Sequence, residues 1–150
     1  SRNINIPESS RTKRIVQDLS RAATGIIIDN IQNIICRQLK SRRQIEITLA
    51  LKKLLSEDSH INRRPSYYAQ LLHVSPVYLN EVVKNITGTT ASKYIQDEII
   101  LRAKRMLIYT TLSIKEIAFD LGFDDHTYFT RLFTQTAGLT PTTYRKKYLE

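Results

Sequence analysis

The stretch EIAFDLGFDDHTYFTRLF, residues 116–133, decides the fold of this chain. Its apolar residues follow helical spacing as far as Leu121, and they resume on a new phase after a glycine and two aspartates. Gly122 suits the left-handed residue that ends a helix, and Asp125 is placed to cap the start of the next one. The stretch therefore predicts two short helices at a sharp corner, the second with a polar outer face.

The helix before the corner has its own start signal. Ser113 and Glu116 have the spacing of a capping box, in which each side chain serves the other residue's backbone N–H. Apolar residues then recur at the spacing of a half-buried helix: Ile114, Ile117, Ala118 and Leu121. We therefore expect this helix to bury one face.

An internal repeat indicates that the corner occurs twice. Residues 68–88, YAQLLHVSPVYLNEVVKNITG, match residues 117–138, IAFDLGFDDHTYFTRLFTQTAG, at an offset of 49 before the corner and 50 after it. In the first copy, Ser75 and Pro76 supply a capping hydroxyl and the proline favoured at the first helical position. The chain is therefore predicted to hold two helix-turn-helix units.

The second helix of each unit presents one polar face. At about 100° per residue, the predicted inward stripes are Leu79, Val82, Val83 and Ile86 in one unit and Phe129, Leu132, Phe133 and Thr136 in the other. The outward faces correspond at the offset of 50: Val77, Asn80, Glu81 and Lys84, and Thr127, Thr130, Arg131 and Thr134. These outward faces are the surfaces expected to meet a partner.

A predicted helix over residues 90–110 connects the two units. About 20 helical residues span roughly 30 Å, and major-groove faces of B-DNA recur about every 34 Å. Such a connector could set both outward helices into adjacent major grooves of one duplex. The pattern predicts an all-α fold, with two helix-turn-helix subdomains joined by a long linker helix and preceded by one or two helices.

Residues 65–148 resemble the DNA-binding domain of the AraC/XylS family of bacterial transcription regulators. The motifs that carry the resemblance are SPVYLNEVVKNITG, the AKRML of the linker helix, LSIKEIAFDLGF and AGLTPTTYRKKY. The resemblance implies a reader whose two recognition helices contact consecutive major grooves, attached to a sensing or dimerising domain. On this basis residues 1–43 are the helical tail of a companion region, and residues 44–150 are the double helix-turn-helix domain.

The resemblance also implies a set of DNA-contacting residues. The family's base-reading face falls on Val77, Asn80, Glu81, His126, Thr127, Thr130 and Arg131, and periodicity alone indicates all of these except His126. By their chemistry, Arg131 suits guanine, Asn80 adenine, Glu81 cytosine and Val77 a thymine methyl group. The expected phosphate contacts are Ser75, Lys84, Thr134, Arg145 and Lys146.

Two departures from the family pattern bear on function. Many members carry Arg where Ile99 stands and a capping Ser or Thr where Arg64 stands. The acidic Glu81 on the first recognition face lowers affinity near phosphate, so the first unit is expected to read DNA weakly. Which of the two units dominates is open at this stage.

Composition agrees with a polyanionic partner but does not identify one. The chain of 150 residues has a formal net charge of +9, a pI near 9.8 and a single cysteine. Residues 1–43 hold 9 Lys/Arg against 3 Asp/Glu, whereas residues 44–150 hold 14 against 11, so most of the excess charge lies outside the reader. We expect a cytoplasmic protein with no membrane segment, and its first residue, Ser1, suggests a piece of something longer.

Helical spacing also covers the N-terminal region. The pattern predicts one helix over residues 12–40, broken or bent at Gly25, and another over residues 44–56. The apolar residues from 26 to 39 must be covered, either by a second copy of the chain or by its own reader. We favour a homodimer through residues 12–41.

Other classes of function are weaker. The three histidines fit no metal-ligand spacing, no cofactor is implied, and Asp124 and Asp125 suit a helix cap rather than catalysis. DNA-repair alkyltransferases that resemble this family would need a reactive cysteine motif, which Cys36 does not supply, so we expect no enzyme. A helical adaptor that binds proteins through the same faces is the other alternative. Contact with RNA polymerase, as an activator, rests on the resemblance.

Overall fold

The computed structural model describes residues 8–149, and within them it contains helices and no strand. The helices are α1 (Glu8–Glu57), α2 (Pro65–Leu71), α3 (Pro76–Thr87), α4 (Ala91–Tyr109), α5 (Ile114–Asp120), α6 (His126–Ala137) and α7 (Pro141–Leu149). The predicted all-α fold is confirmed, with α2–α3 and α5–α6 as the helix-turn-helix units and α4 as the linker. Among the described residues, no helix has the length and apolar character needed to cross a membrane.

Helix α1 is one continuous helix of 50 residues. The predicted break at Gly25 and the predicted boundary between residues 40 and 44 are both wrong. A glycine inside a helix costs only about 1 kcal/mol relative to alanine, and residues 41–43 contain neither glycine nor proline to stop the helix. Contacts nevertheless divide the chain into two units, residues 1–42 and residues 43–150.

In the N-terminal part of the chain, every described side chain from residue 9 to residue 42 is exposed. The exposed side chains include these large apolar ones: Ile15, Val16, Leu19, Ile26, Ile27, Ile28, Ile31, Ile34, Ile35 and Leu39. The seven residues that precede Glu8 in the predicted tail lie outside the described range. A run of exposed isoleucines this dense is characteristic of a surface that is covered by a partner.

Residues 43–150 have a single apolar core built around α4. Ile95, Ile99, Ala103 and Leu107, which share one face of α4, are buried, and Leu51 and Leu55 from the end of α1 join them. Arg102 of α4 donates hydrogen bonds to the backbone carbonyls of Leu55, Ser56 and Asp58. The guanidinium thus satisfies carbonyls at the C-terminal end of α1, where a positive charge is favourable.

The predicted helix starts are confirmed. Ser75 accepts a hydrogen bond from the N–H of Tyr78, and Asp125 accepts one from the N–H of Thr127. Ser113 and Glu116 form the reciprocal capping box. These caps fix the residue at which α3, α5 and α6 begin, and therefore fix which side chains each helix turns outward.

The two corners share one backbone conformation although their residues differ. Gly122 has a φ of 91°, and His73, which stands at the same point of the first copy, has a φ of 55°. Histidine tolerates the left-handed region better than most residues with a side chain. The corner is therefore a property of the repeat and not of glycine alone.

Two residues of the predicted inward stripes are exposed, and a third, Leu132, is half-buried. Ile86 is 40% exposed, and Thr136 is also exposed. Both lie in the last turn before a left-handed glycine, Gly88 or Gly138, where the chain reverses away from the helix. Helical phase alone therefore does not bury a residue at a helix end.

Candidate DNA-binding interface

The outer face of α3 carries the predicted reading residues of the first unit. Val77 is 79% exposed, and Asn80, Glu81 and Lys84 are exposed beside it. The opposite face of the helix holds it in place, because Leu79, Val82 and Val83 are completely buried. The buried face holds α3 in the core, so its outer side chains are not needed for packing, with one exception that forms a hydrogen bond to another helix.

That exception is Asn80. Its Oδ1 accepts a hydrogen bond from the backbone N–H of Ala91, the first residue of α4, at 3.0 Å. Because a backbone N–H can only donate, the carboxamide oxygen must be the atom that faces Ala91. One of the two groups that Asn80 would use on an adenine is therefore directed at the protein.

The outer face of α6 carries the predicted residues of the second unit. His126, Thr127 and Arg131 are exposed, whereas Thr130 and Thr134 are half-buried. Phe129 and Phe133 anchor the helix in the core, where Phe129 lies against Phe123 and Phe133 against Tyr144. The aromatic anchors of α6 replace the aliphatic anchors of α3.

The two half-buried threonines use their hydroxyl protons within the helix. Thr130 Oγ1 donates to the carbonyl of His126 at 2.9 Å, and Thr134 Oγ1 donates to the carbonyl of Thr130 at 2.7 Å. Both hydroxyl oxygens keep lone pairs with which to accept a hydrogen bond. Toward a base edge, these side chains offer acceptors and methyl groups.

Arg131 is held over an aromatic ring. Its guanidinium carbon lies 5.7 Å from the ring centroid of Tyr128, within cation–π range. Tyr128 in turn lies against Phe123, with ring centroids 6.0 Å apart. Sequence reasoning missed this support, although the spacing of Tyr128 and Arg131 by three residues places them on neighbouring positions of a helix.

The starts of the two recognition helices differ in charge. Hydrogen bonds from the backbone N–H and the side chain of Thr127 lower the pKa of the Asp125 carboxyl, which stays ionised at the start of α6. The start of α3 is capped instead by the neutral hydroxyl of Ser75. A phosphate at the start of α3 therefore meets only a neutral hydroxyl cap. At the start of α6 it would be repelled by the Asp125 carboxylate, which carries the same sign of charge.

The predicted phosphate contacts differ in availability. Ser75, Lys84 and Lys146 are exposed. Arg145 is half-buried, and its Nε and Nη2 donate to the carbonyls of Leu107 and Leu112 at 3.0 and 2.6 Å. This guanidinium holds α7 to the end of α4 and to the segment before α5, a role for which the sequence carries no local signal.

Among residues 8–149, no group of three or more His, Cys, Asp or Glu side chains could hold a metal ion. Cys36 is exposed on α1. The outer faces of α3 and α6 instead carry hydrogen-bonding side chains, the cations Lys84 and Arg131, and the acidic Glu81.

The architecture defines a class: two helix-turn-helix units on one linker helix make a DNA-binding domain. A family model described as a helix-turn-helix domain matches residues 68–147, more than half of the chain. The relatives are bacterial transcription regulators, and the chain belongs to the AraC/XylS family. Residues 68–147 are the helix-turn-helix domain of that family.

Two relatives match most of the chain, α1 included. The uncharacterized HTH-type transcriptional regulator YfiF of Bacillus subtilis is 31% identical over 95% of this chain and 46% of its own length. The HTH-type transcriptional activator RhaR of Mannheimia succiniciproducens is 30% identical over 95% of this chain and 52% of its own length. The chain therefore spans about half the length of these relatives.

A solved structure supports the fold. The DNA-binding domain of AdpA, a global transcriptional factor, was determined in complex with a target DNA and superposes with a TM-score of 0.58. It is 22% identical, and the match covers 70% of this chain and 91% of that one. At this identity the likeness concerns the fold alone.

Proposed function

We propose that this chain reads a specific sequence of double-stranded DNA by placing α3 and α6 in adjacent major grooves, and that it activates transcription. The observation that carries the proposal is the pair of exposed polar faces on two helices of equivalent phase, each held by a buried apolar stripe. The linker α4 has 19 residues, which span about 28 Å at the rise of an α-helix. That length is compatible with grooves about 34 Å apart.

The base-reading residues that we propose are Val77 and Glu81 in α3 and His126, Thr127, Thr130 and Arg131 in α6. Arg131 is the strongest of them, because a guanidinium pairs bidentately with guanine and Tyr128 already orients it. Glu81 accepts from the amino group of cytosine. Val77, with most of its side chain exposed, contacts a thymine methyl group.

We assign the phosphate contacts to Ser75, Lys84 and Lys146, because the predicted contact Thr134 already donates its hydroxyl proton to the carbonyl of Thr130. The Ser75 hydroxyl accepts from the N–H of Tyr78 and retains its own proton to donate to a phosphate oxygen. Arg145 remains on its backbone carbonyls in this proposal, since leaving them would unpair two acceptors.

We further propose that the chain divides by function at residues 43 and 44. Residues 1–43 form a helical tail that pairs with a second copy through residues 12–41, and residues 44–150 form the reader. The exposed isoleucines of α1 are the surface that a second helix would cover. Pairing two readers raises affinity for a two-site operator without any new contact to DNA.

Activation, through contact with RNA polymerase, is the sign of regulation that we propose. It is supported by the family and by a relative, RhaR, that is named a transcriptional activator and matches 95% of this chain. A protein that acts on bacterial promoters works in the cytoplasm.

Selection of bound duplexes from a random pool tests the reading function. We expect two enriched boxes about one helical turn apart. Arg131→Ala should relax one base pair of one box by about tenfold or more, in line with the loss of one bidentate pair. Arg14→Ala removes the same charge from an exposed position on α1 and serves as the control.

The outcomes separate the alternatives. Loss of preference at one position with Arg131→Ala, and not with Arg14→Ala, supports reading by α6. Binding that falls steeply with salt but enriches no sequence would contradict specific reading. Absence of any duplex binding at moderate salt would favour a protein-binding adaptor.

A further inference from the structure

Two pairs of equivalent residues in the repeat have different chemistry. Asn80 in α3 corresponds to Thr130 in α6 at the offset of 50, and Ala91 at the start of α4 corresponds to Pro141 at the start of α7. Ala91 and Pro141 are both buried. The difference between an N–H donor and a proline at this point changes what the recognition helix must do.

In the first unit, Asn80 completes the start of α4. Ala91 is the first residue of that helix, so its N–H has no partner inside the helix, and its burial keeps water away. Asn80 Oδ1 accepts this N–H at 3.0 Å, while Thr90 Oγ1 accepts the N–H of Lys93 at 3.2 Å. Two side chains thus share the capping of α4, and one of them comes from the recognition helix.

In the second unit, the equivalent position has no such duty. Pro141 carries no N–H, so nothing at the start of α7 requires an acceptor from α6. Thr130 instead donates its hydroxyl proton to the carbonyl of His126. Thr140 caps α7 alone by accepting the N–H of Thr143 at 3.2 Å.

We infer that Asn80 is a positioning residue that fastens α3 to the start of α4, and that base discrimination at this position of the repeat falls on Thr130 alone. Bidentate recognition of adenine needs the oxygen and the nitrogen of the carboxamide to face the base together. The oxygen of Asn80 faces Ala91 instead. The inference rests on the proposed reading of DNA by both units, and it makes α6 the more discriminating helix.

The hydrogen bond can be tested without DNA. Asn80→Ala should lower the melting temperature by about 4 °C, because it removes the equivalent of a helix cap. Asn80→Asp keeps an acceptor for the N–H of Ala91 and should restore the melting temperature. In an Ala91→Pro background, which copies Pro141, Asn80→Ala should have no effect of its own. An equal loss in both backgrounds would overturn the inference.

Selection from a random duplex pool tests the reading half. Asn80→Ala should weaken binding to all duplexes alike and leave the selected sequence unchanged, whereas Thr130→Ala should relax one base pair by about fivefold or more. Relaxation of a single base pair by Asn80→Ala, at an unchanged melting temperature, would overturn the inference, as would an unchanged preference with Thr130→Ala. If the native chain enriches no sequence, the proposed function fails, and the melting experiment still decides the role of Asn80.

Discussion

Gly122 is held by two constraints at once. Its φ of 91° lies in the region that side chains disfavour, and a Cβ there would lie 3.1 Å from the Cβ and 3.3 Å from the Cα of His60. Gly138 has a similar φ of 76°, but beyond its own residue and its chain neighbours no atom lies within 4 Å of where its Cβ would be. Comparing alanine substitutions at the two glycines therefore separates the energetic cost of backbone strain from the cost of steric contact.

Gly122→Ala should destabilise the chain by about 2–3 kcal/mol, and Gly138→Ala by about 1 kcal/mol, since a left-handed residue with a side chain costs about 1–2 kcal/mol. Denaturant unfolding of both variants measures the difference. Equal losses would mean that His60 moves away without cost.

At the scale of the element, side-chain caps define where α5 and α6 begin. Glu116 accepts from the N–H of Ser113 at 2.7 Å, and this hydrogen bond lowers the pKa of its carboxyl below the ordinary value of 4.5. The Asp125 carboxyl also has a pKa below its ordinary value of 3.8. A carboxyl whose pKa is lower in the folded state stabilises the fold above its unfolded pKa. That stabilisation is lost as pH falls through the folded pKa.

The two caps should therefore contribute to acid lability below about pH 4.5. Glu116→Gln and Asp125→Asn keep the capping chemistry but remove the titration, so the melting temperature of the double variant should fall less between neutral pH and pH 3. Asp124→Asn, an exposed neighbour in the same corner, is the control. A double variant with the same acid dependence as the native chain would contradict this role.

At the scale of the whole molecule, the exposed apolar side chains of residues 9–42 need a partner surface that covers them. Every described side chain of residues 9–42 is exposed, including Ile31, which is 50% exposed, and Ile35, which is 48% exposed. Burial of such side chains is worth about 1.5–3 kcal/mol each. A second copy of the helix would supply that burial, which is why we propose a homodimer.

Sedimentation of the full chain tests the homodimer. At tens of micromolar we expect a dimer, and Ile31→Glu combined with Ile35→Glu should shift it to a monomer, because two carboxylates would enter the apolar contact. Gln32→Glu adds charge at an exposed neighbouring position and should leave the dimer intact. A native monomer at this concentration would rule the homodimer out.

The sequence by itself determined the local features of this protein. Capping residues and stripe spacing identified the helices of both helix-turn-helix units and the linker, because these signals act between residues a few positions apart. The repeat at 49–50 residues, which compares two such local patterns, and the motifs within it identified the family. The repeat also placed six of the eight outward residues at exposed positions, whereas Thr130 and Thr134 are half-buried. The base and phosphate contacts of these residues remain predictions. Prediction failed at Gly25, where one weak breaker does not end a helix, and at Ile86 and Thr136, where a correct phase runs past the end of the core.

Only the tertiary structure decided which polar atoms meet across helices. Asn80 reaches the N–H of a residue 11 positions away, Arg145 reaches carbonyls 38 and 33 positions away, and Arg102 reaches carbonyls 44 to 47 positions away. Helical periodicity tells which side of a helix faces inward, but not which donor or acceptor of another helix lies opposite. That depends on how the helices pack around α4, and it separates the side chains that are free to read DNA from those that hold the reader together.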